Sequence, residues 1–211
     1  MGQALPKAAA LIALAAWGFG AAPVRAELVD ALVGRIDGYA LTWSEIRREA
    51  AIRRLEGRPE AEALARVVRD AVVRRRLFAA EAERLRLEAS AAEIDAELGA
   101  LAARCRLPSP ELCRVLGLDM EHLRVRQRQE VLARKYLAFR REMTFVPLTE
   151  VLRFIREQGD RLGVEDPLDL RGEVRAYLEE RKFRRELEEW LQTQVREGRV
   201  ELLPLPAAQT G

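Results

Sequence analysis

Three short apolar segments that read as β-strands lie at the two ends of the chain, and almost everything between them reads as helix. This arrangement constrains the fold most. Residues 28–33 and 39–42 flank Gly34-Arg35-Ile36-Asp37-Gly38. An Asp-Gly pair between apolar runs signals a tight hairpin, because both turn residues tolerate positive φ. Residues 200–203, Val-Glu-Leu-Leu, are the third segment. A two-stranded hairpin alone is marginal in water. The third segment is therefore expected to join it, which brings the ends of the chain together. The fold class that follows is mainly α: many helices, with a small antiparallel sheet formed by an N-terminal hairpin and a C-terminal strand.

Capping signals divide the middle of the chain. Thr42-Trp43-Ser44-Glu45 opens a helix to about residue 56, with the Thr hydroxyl capping and the Glu carboxylate reaching back. Gly57-Arg58-Pro59 stops it. Residues 59–87 form one long pattern, with Val68, Val72, Phe78, Ala82 and Leu85 at three- and four-residue spacing. Ser90-Ala-Ala-Glu93 is a second capping box, opening a helix to about residue 105. After Leu107-Pro108, Ser109 is expected to cap a short helix with Pro110 in its first turn, and Gly117 ends it. Asp119 caps a long helix to about residue 143. A shorter helix covers about 148–157, a polar connection 158–169, and a last helix about 170–197. A loose tail is expected from Pro204.

The first 26 residues differ from the rest. Lys7 precedes an apolar stretch ending in Trp17, and Val24-Arg25-Ala26 places small residues at −3 and −1. This is the pattern of a secretory signal, with cleavage expected after Ala26 and an uncleaved anchor as the alternative. Export implies a periplasmic location. The whole chain carries 36 basic and 34 acidic residues. Losing Lys7 and Arg25 leaves the two signs equal, so nothing points to nucleic acid, which asks for a net basic face.

Few chemistries are open to such a chain. One His leaves no multi-histidine metal site. His122 lies in a helical pattern and reads as a surface or capping residue. No P-loop, Gly-x-Gly-x-x-Gly or Gly-x-Ser-x-Gly occurs. Neither a catalytic residue, a cofactor nor a metal is expected. Glu179-Glu180 and Glu188-Glu189 sit among arginines and read as solvated helix faces. Cys105 and Cys113 are separated by seven residues. In an oxidising compartment they read as a disulfide, which would stabilise the fold by roughly 2–3 kcal/mol if unstrained. A redox pair, which lacks Cys-x-x-Cys, and two free thiols are the alternatives.

The elements in this order resemble the SurA/PrsA family of extracytoplasmic foldases, specifically the SurA N-terminal chaperone domain. Val29-Asp-Ala-Leu-Val33, Asp37-Gly38 and Leu41-Thr-Trp-Ser-Glu-Ile46 resemble its opening hairpin and capped first helix. Leu77-Phe-Ala-Ala-Glu-Ala82, Leu85-Arg-Leu87 and Ser90-Ala-Ala-Glu-Ile94 resemble its long helix and the capped turn after it. Gly117-Leu-Asp-Met120 and the stretch from Leu123 to Lys135 resemble its later helices, and the last helix with residues 200–203 its closing segment. The resemblance covers residues 27–203, taken as one domain. It departs where the family carries a parvulin-type prolyl isomerase module. Only the connection 158–169 stands there, too short for a domain, and no Gly-Gly-Asp-Leu-Gly-like loop occurs. Isomerase activity is therefore not carried over.

The resemblance implies an ATP-independent periplasmic holdase. Its partners would be unfolded or outer-membrane polypeptides, it would meet the membrane only transiently, and its oligomeric state is left open. The alternative is a non-catalytic scaffold of an envelope assembly complex. Candidates for a peptide groove are Tyr136, Phe139, Met143, Phe145 and Phe154.

Overall fold

The computed structural model describes residues 30–162 and 170–206, so the expected leader lies outside them. β1 (Leu32–Ile36) and β2 (Tyr39–Thr42) form an antiparallel hairpin. Its turn is Asp37-Gly38, with φ of 50° and 81°. Two positive-φ residues give the turn a twist that matches the strands. β1 thus takes in Gly34, Arg35 and Ile36, which the sequence pattern had left to the turn, and it starts later than residue 28.

β3 (Val200–Leu202) pairs antiparallel on the far side of β1, giving the order β2-β1-β3. The ends of the described chain meet, as the marginal hairpin requires. Arg199, just before β3, locks the junction. Its Nε and Nη2 donate to the two Asp37 carboxylate oxygens at 2.6 and 2.8 Å. Its Nη1 donates to Glu81 at 2.7 Å. The Asp37 amide in turn donates to the Arg199 carbonyl at 2.8 Å. The guanidinium holds the Asp37 carboxyl below its ordinary range.

Gly34 marks the closest approach of β3. A Cβ there would lie 2.7 Å from the Glu201 carbonyl oxygen, closer than real side chains come. The β1–β2 register also shifts between Leu32 and Gly34, as at a β-bulge.

Seven α-helices lie among the described residues. α1 (Trp43–Leu55) starts at Thr42, whose hydroxyl accepts from the Glu45 amide at 3.4 Å. Glu45 does not reach back as expected. Its carboxylate accepts from Arg76 of the next helix at 2.6 Å, and Asp30 accepts from the Ser44 amide instead. The long pattern from Pro59 is also interrupted. Residues Glu60–Ala63 form a 3₁₀ turn, Leu64 is extended, and α2 runs Ala65–Arg84. Glu60-Ala-Glu-Ala63 offers no large apolar side chain to anchor a helical turn on the core, so the chain bends there.

α3 (Ala91–Cys105) carries the reciprocal Ser90–Glu93 capping box. α4 (Ser109–Leu116) starts one residue earlier than expected, with Pro108 at the cap and Ser109 inside the helix. α5 (Met120–Glu142) is capped by Asp119, and His122 lies against that cap, its Nδ1 2.6 Å from the Asp119 carboxylate. α6 (Leu148–Leu162) runs past residue 157 into the segment expected to be a connection. α7 is Arg171–Arg196. Beyond β3, Leu205 packs on the core, so ordered chain extends past the start of the expected tail.

Three apolar clusters hold these elements. The first joins the inner face of the sheet to α2, α5 and the end of α7, through Val33, Leu41, Phe78, Tyr136 and Leu191. The second gathers Ile52, Leu101, Leu112 and Leu123 from α1, α3, α4 and α5. The third is separate: Val146, Val151, Ile155, Val174 and Leu178 bind α6 to the first half of α7 as a helical hairpin arm.

One charge cluster sits within this packing. Glu49 of α1 accepts from Arg75 of α2 at 2.8 Å and from Arg126 of α5 at 3.0 and 2.7 Å. Burial works against the carboxylate, but the two guanidiniums outweigh it and its pKa falls well below the ordinary 4.5.

Two stability outcomes follow. Glu49→Gln removes the nearest counter-charge of two guanidiniums and leaves Arg75 only Glu130 at 3.9 Å, so it should cost about 3–5 kcal/mol, read from denaturant midpoints. Gly34→Ala should cost about 1–3 kcal/mol through the clash with β3. The pH dependence has a definite sign. Glu49 and Asp37 are depressed in the fold, so their contribution is complete above their ordinary values of 4.5 and 3.8 and fades as pH falls below them. Midpoints measured between pH 7 and pH 2 should drop in that acid window, less so in Glu49→Gln.

Candidate polypeptide-binding surface

α3 and α5 face each other across side chains too small to fill the space between them. Ala96 and Ala100 stand one turn apart on α3, and Ala138 and the edge of Val131 face them from α5. The result is an open groove of about 530 Å³ with an apolar floor. Its rim is charged but self-paired. Lys135 contacts Glu93 at 2.7 Å and donates to the Glu88 carbonyl at 2.6 Å, and Arg134 meets Glu97 at 2.6 Å. Bonds from Lys135 and from Ser90 push the Glu93 carboxyl down to about 2. The rim charges therefore satisfy one another and leave the floor to apolar contact.

An exposed apolar ledge lies further along α5. Phe139 follows Ala138, and Met143 lies one turn further on the same face, 69% exposed. Phe145 is 62% exposed and Leu148 is also open. The backbone under this ledge is fixed. Val146 is buried in the third cluster, Lys182 donates to the Phe145 carbonyl at 2.7 Å, and Thr144 donates to the Arg140 carbonyl at 3.0 Å. Arg141 pairs with Glu180 at 3.0 Å and lies 4.7 Å from the Phe183 ring centroid. The break before Pro147 points apolar side chains outward from a braced support.

Of the groove candidates, Phe139, Met143 and Phe145 belong to this ledge. Tyr136 does not. It is 3% exposed, with its ring 5.7 Å from Phe78 and 5.9 Å from Trp190, so it is a core residue. Three residues before Phe139 on a helix, it faces a different neighbour. Phe154 packs on the third cluster, 5.8 Å from the Tyr177 ring, and belongs to the α6–α7 arm. Ala96, Ala100 and Ala138 were missed because a search for a binding groove favours large side chains. The available signal was the i,i+4 pair of alanines on a helix whose neighbour also carries a small residue.

No family model, curated protein or solved structure matches this chain. Among the described residues no His, Cys, Asp and Glu group could hold a metal ion, and no helix is long and apolar enough to cross a membrane.

Cys105 and Cys113 are free thiols in this structure, the alternative left beside the disulfide. Both are buried in the second cluster, and burial pushes both thiols above their ordinary range. A buried thiol that resists ionisation is a poor nucleophile. Iodoacetamide at pH 8 should therefore label neither residue on the timescale that labels the urea-unfolded chain. Prompt labelling of the native protein would contradict this placement, and a mass two hydrogens lower before reduction would identify the bonded form.

Proposed function

We propose that this protein is an exported, ATP-independent holdase of the SurA/PrsA type that lacks the isomerase module and protects unfolded or outer-membrane polypeptides in the periplasm. The observations that carry the reading are the apolar floor of the α3–α5 groove and the exposed Phe139–Met143 ledge further along α5. Contiguous exposed apolar surface on a soluble fold marks a binding site. The small floor residues admit side chains of many shapes. They supply no hydrogen-bond pattern that would select one sequence.

Binding here needs no bond-making step. An unfolded segment buries its apolar side chains on the floor and ledge at about 25 cal/mol per Å² of area removed from water. Much of that gain offsets the ordering of the segment, so each contact is weak and exchange stays fast. The rim pairs keep the charges of the groove occupied, which disfavours tight capture of any one charged sequence. The leader pattern of residues 1–26 supports the exported setting of this reading.

The test is light scattering of a denatured outer-membrane protein diluted into buffer with the purified protein. Suppression of aggregation at severalfold excess is expected. The double variant Met143→Ser, Phe145→Ser and the groove variant Ala100→Arg should each weaken suppression severalfold while leaving the unfolding free energy within about 0.5 kcal/mol, as exposed substitutions do. No suppression by the unaltered protein would remove the proposal. Capture of one stoichiometric partner without general suppression would favour a scaffold instead.

A further inference from the structure

A second cleft, between α1, α2 and α5, holds more hydrogen-bond donors than acceptors. It encloses about 200 Å³. Arg48, Arg75, Arg76 and Arg126 line it against Glu45 and Glu49 alone, two guanidiniums for each carboxylate. The carboxylates are already engaged. Glu49 accepts through both oxygens from Arg75 and Arg126, and Glu45 accepts from Arg76. Two donors are left over. Arg75 is 8% exposed, and its Nε is buried with no hydrogen-bond partner. Arg48 is half-buried and makes no hydrogen bond or ion pair among the described residues.

The rest of the lining is mixed: Thr42, His122 and Gln129 are polar, and Ile52, Leu118 and Val125 contribute aliphatic surface to the same cleft. Guanidinium forks match carboxylate geometry with two parallel bonds, and a buried donor without an acceptor carries a desolvation cost that such a partner relieves. The volume is below that of a drug-sized pocket, so the occupant is a small group. A bare inorganic anion would satisfy the donors but leave the aliphatic wall uncovered.

We propose that this cleft binds a carboxylate carried next to one small aliphatic side chain. That chemistry is shared by the C-terminal residue of a polypeptide and by a free acylated amino acid. The site stands apart from the α3–α5 groove, and its occupancy does not depend on the holdase reading. Arg48 supplies the free fork, the Arg75 Nε a second donor, and Ile52, Leu118 and Val125 the apolar contact.

The experiment is isothermal titration of the purified protein with N-acetylleucine, with N-acetylleucinamide, and with inorganic phosphate as competitor. The acid should bind saturably, and the neutral amide at least tenfold more weakly. Phosphate should compete poorly. Arg48→Gln, which removes no ion pair of the fold, should weaken the acid at least tenfold while leaving amide binding and the unfolding midpoint unchanged. Peptides ending in leucine with a free or an amidated end distinguish the sources: tighter binding of the free-ended peptide than of N-acetylleucine assigns the site to chain ends, and the reverse order to free acids. Equal binding of acid and amide, absence of saturable binding, phosphate competing as strongly as the acid, or an acid affinity untouched by Arg48→Gln would each overturn the proposal. Aggregation suppression measured on Arg48→Gln should equal that of the unaltered protein, which keeps failure here distinct from failure of the holdase reading.

Discussion

The joining of β3 to β1 is the contact on which the other elements depend. Three short strands at opposite ends of a helical chain become a sheet only if the chain closes, and closure across so long a loop carries an entropic cost that grows with its length. The contacts that offset it are concentrated. Arg199 clasps Asp37 with two bonds and reaches Glu81 with a third, so one side chain ties the closing strand, the hairpin turn and α2 together. Gly34 lets the strands approach at the one place where a Cβ would meet the Glu201 carbonyl. The inner face of the closed sheet then supplies Val33, Ile36, Leu41 and Val200 to the main core. Helices α2 and α5 pack on that face, and α5 in turn presents the groove.

Glu49 solves a second problem, the alignment of α1, α2 and α5. Apolar packing is tolerant of small slides between helices, whereas a carboxylate held by two guanidiniums has a narrow range of geometries. Arg75 and Arg126 arrive from different helices at the same carboxylate, Arg126 on both oxygens and Arg75 on one. A buried cluster of this kind adds little net stability compared with apolar side chains of the same volume. Its effect is on register.

Much of the architecture was legible because it is local. The Asp37-Gly38 turn, the Ser90–Glu93 box, the Asp119 cap and the Gly117 end are each set by a few adjacent residues, and each lies within a residue or two of where its pattern placed it. The failures were where tertiary partners competed. Glu45 fits a capping box by spacing, yet Arg76 offers it a charged partner and takes it. The helical pattern from Pro59 continues in sequence, but Glu60-Ala-Glu-Ala63 has nothing to bury, so the helix begins at Ala65. Tyr136 and Phe139 are nearly interchangeable by type, and only the position of Phe78 and Trp190 sends one into the core and leaves the other in water.

The candidate surfaces were harder to read because both are defined by what is missing. The α3–α5 groove exists where Ala96, Ala100 and Ala138 leave space that leucines would have filled. The second cleft draws its character from donors that no carboxylate answers. Composition hides this second imbalance, since acidic and basic residues nearly cancel along the whole chain. Cancellation in sequence does not require cancellation in space. Salt bridges elsewhere consume the carboxylates, as Glu97 and Glu180 each take two cations. The arginines around Glu49 are then left in excess at one place. A nearly neutral chain can thus carry a locally cationic cleft, because pairing geometry rather than charge count determines where the field survives.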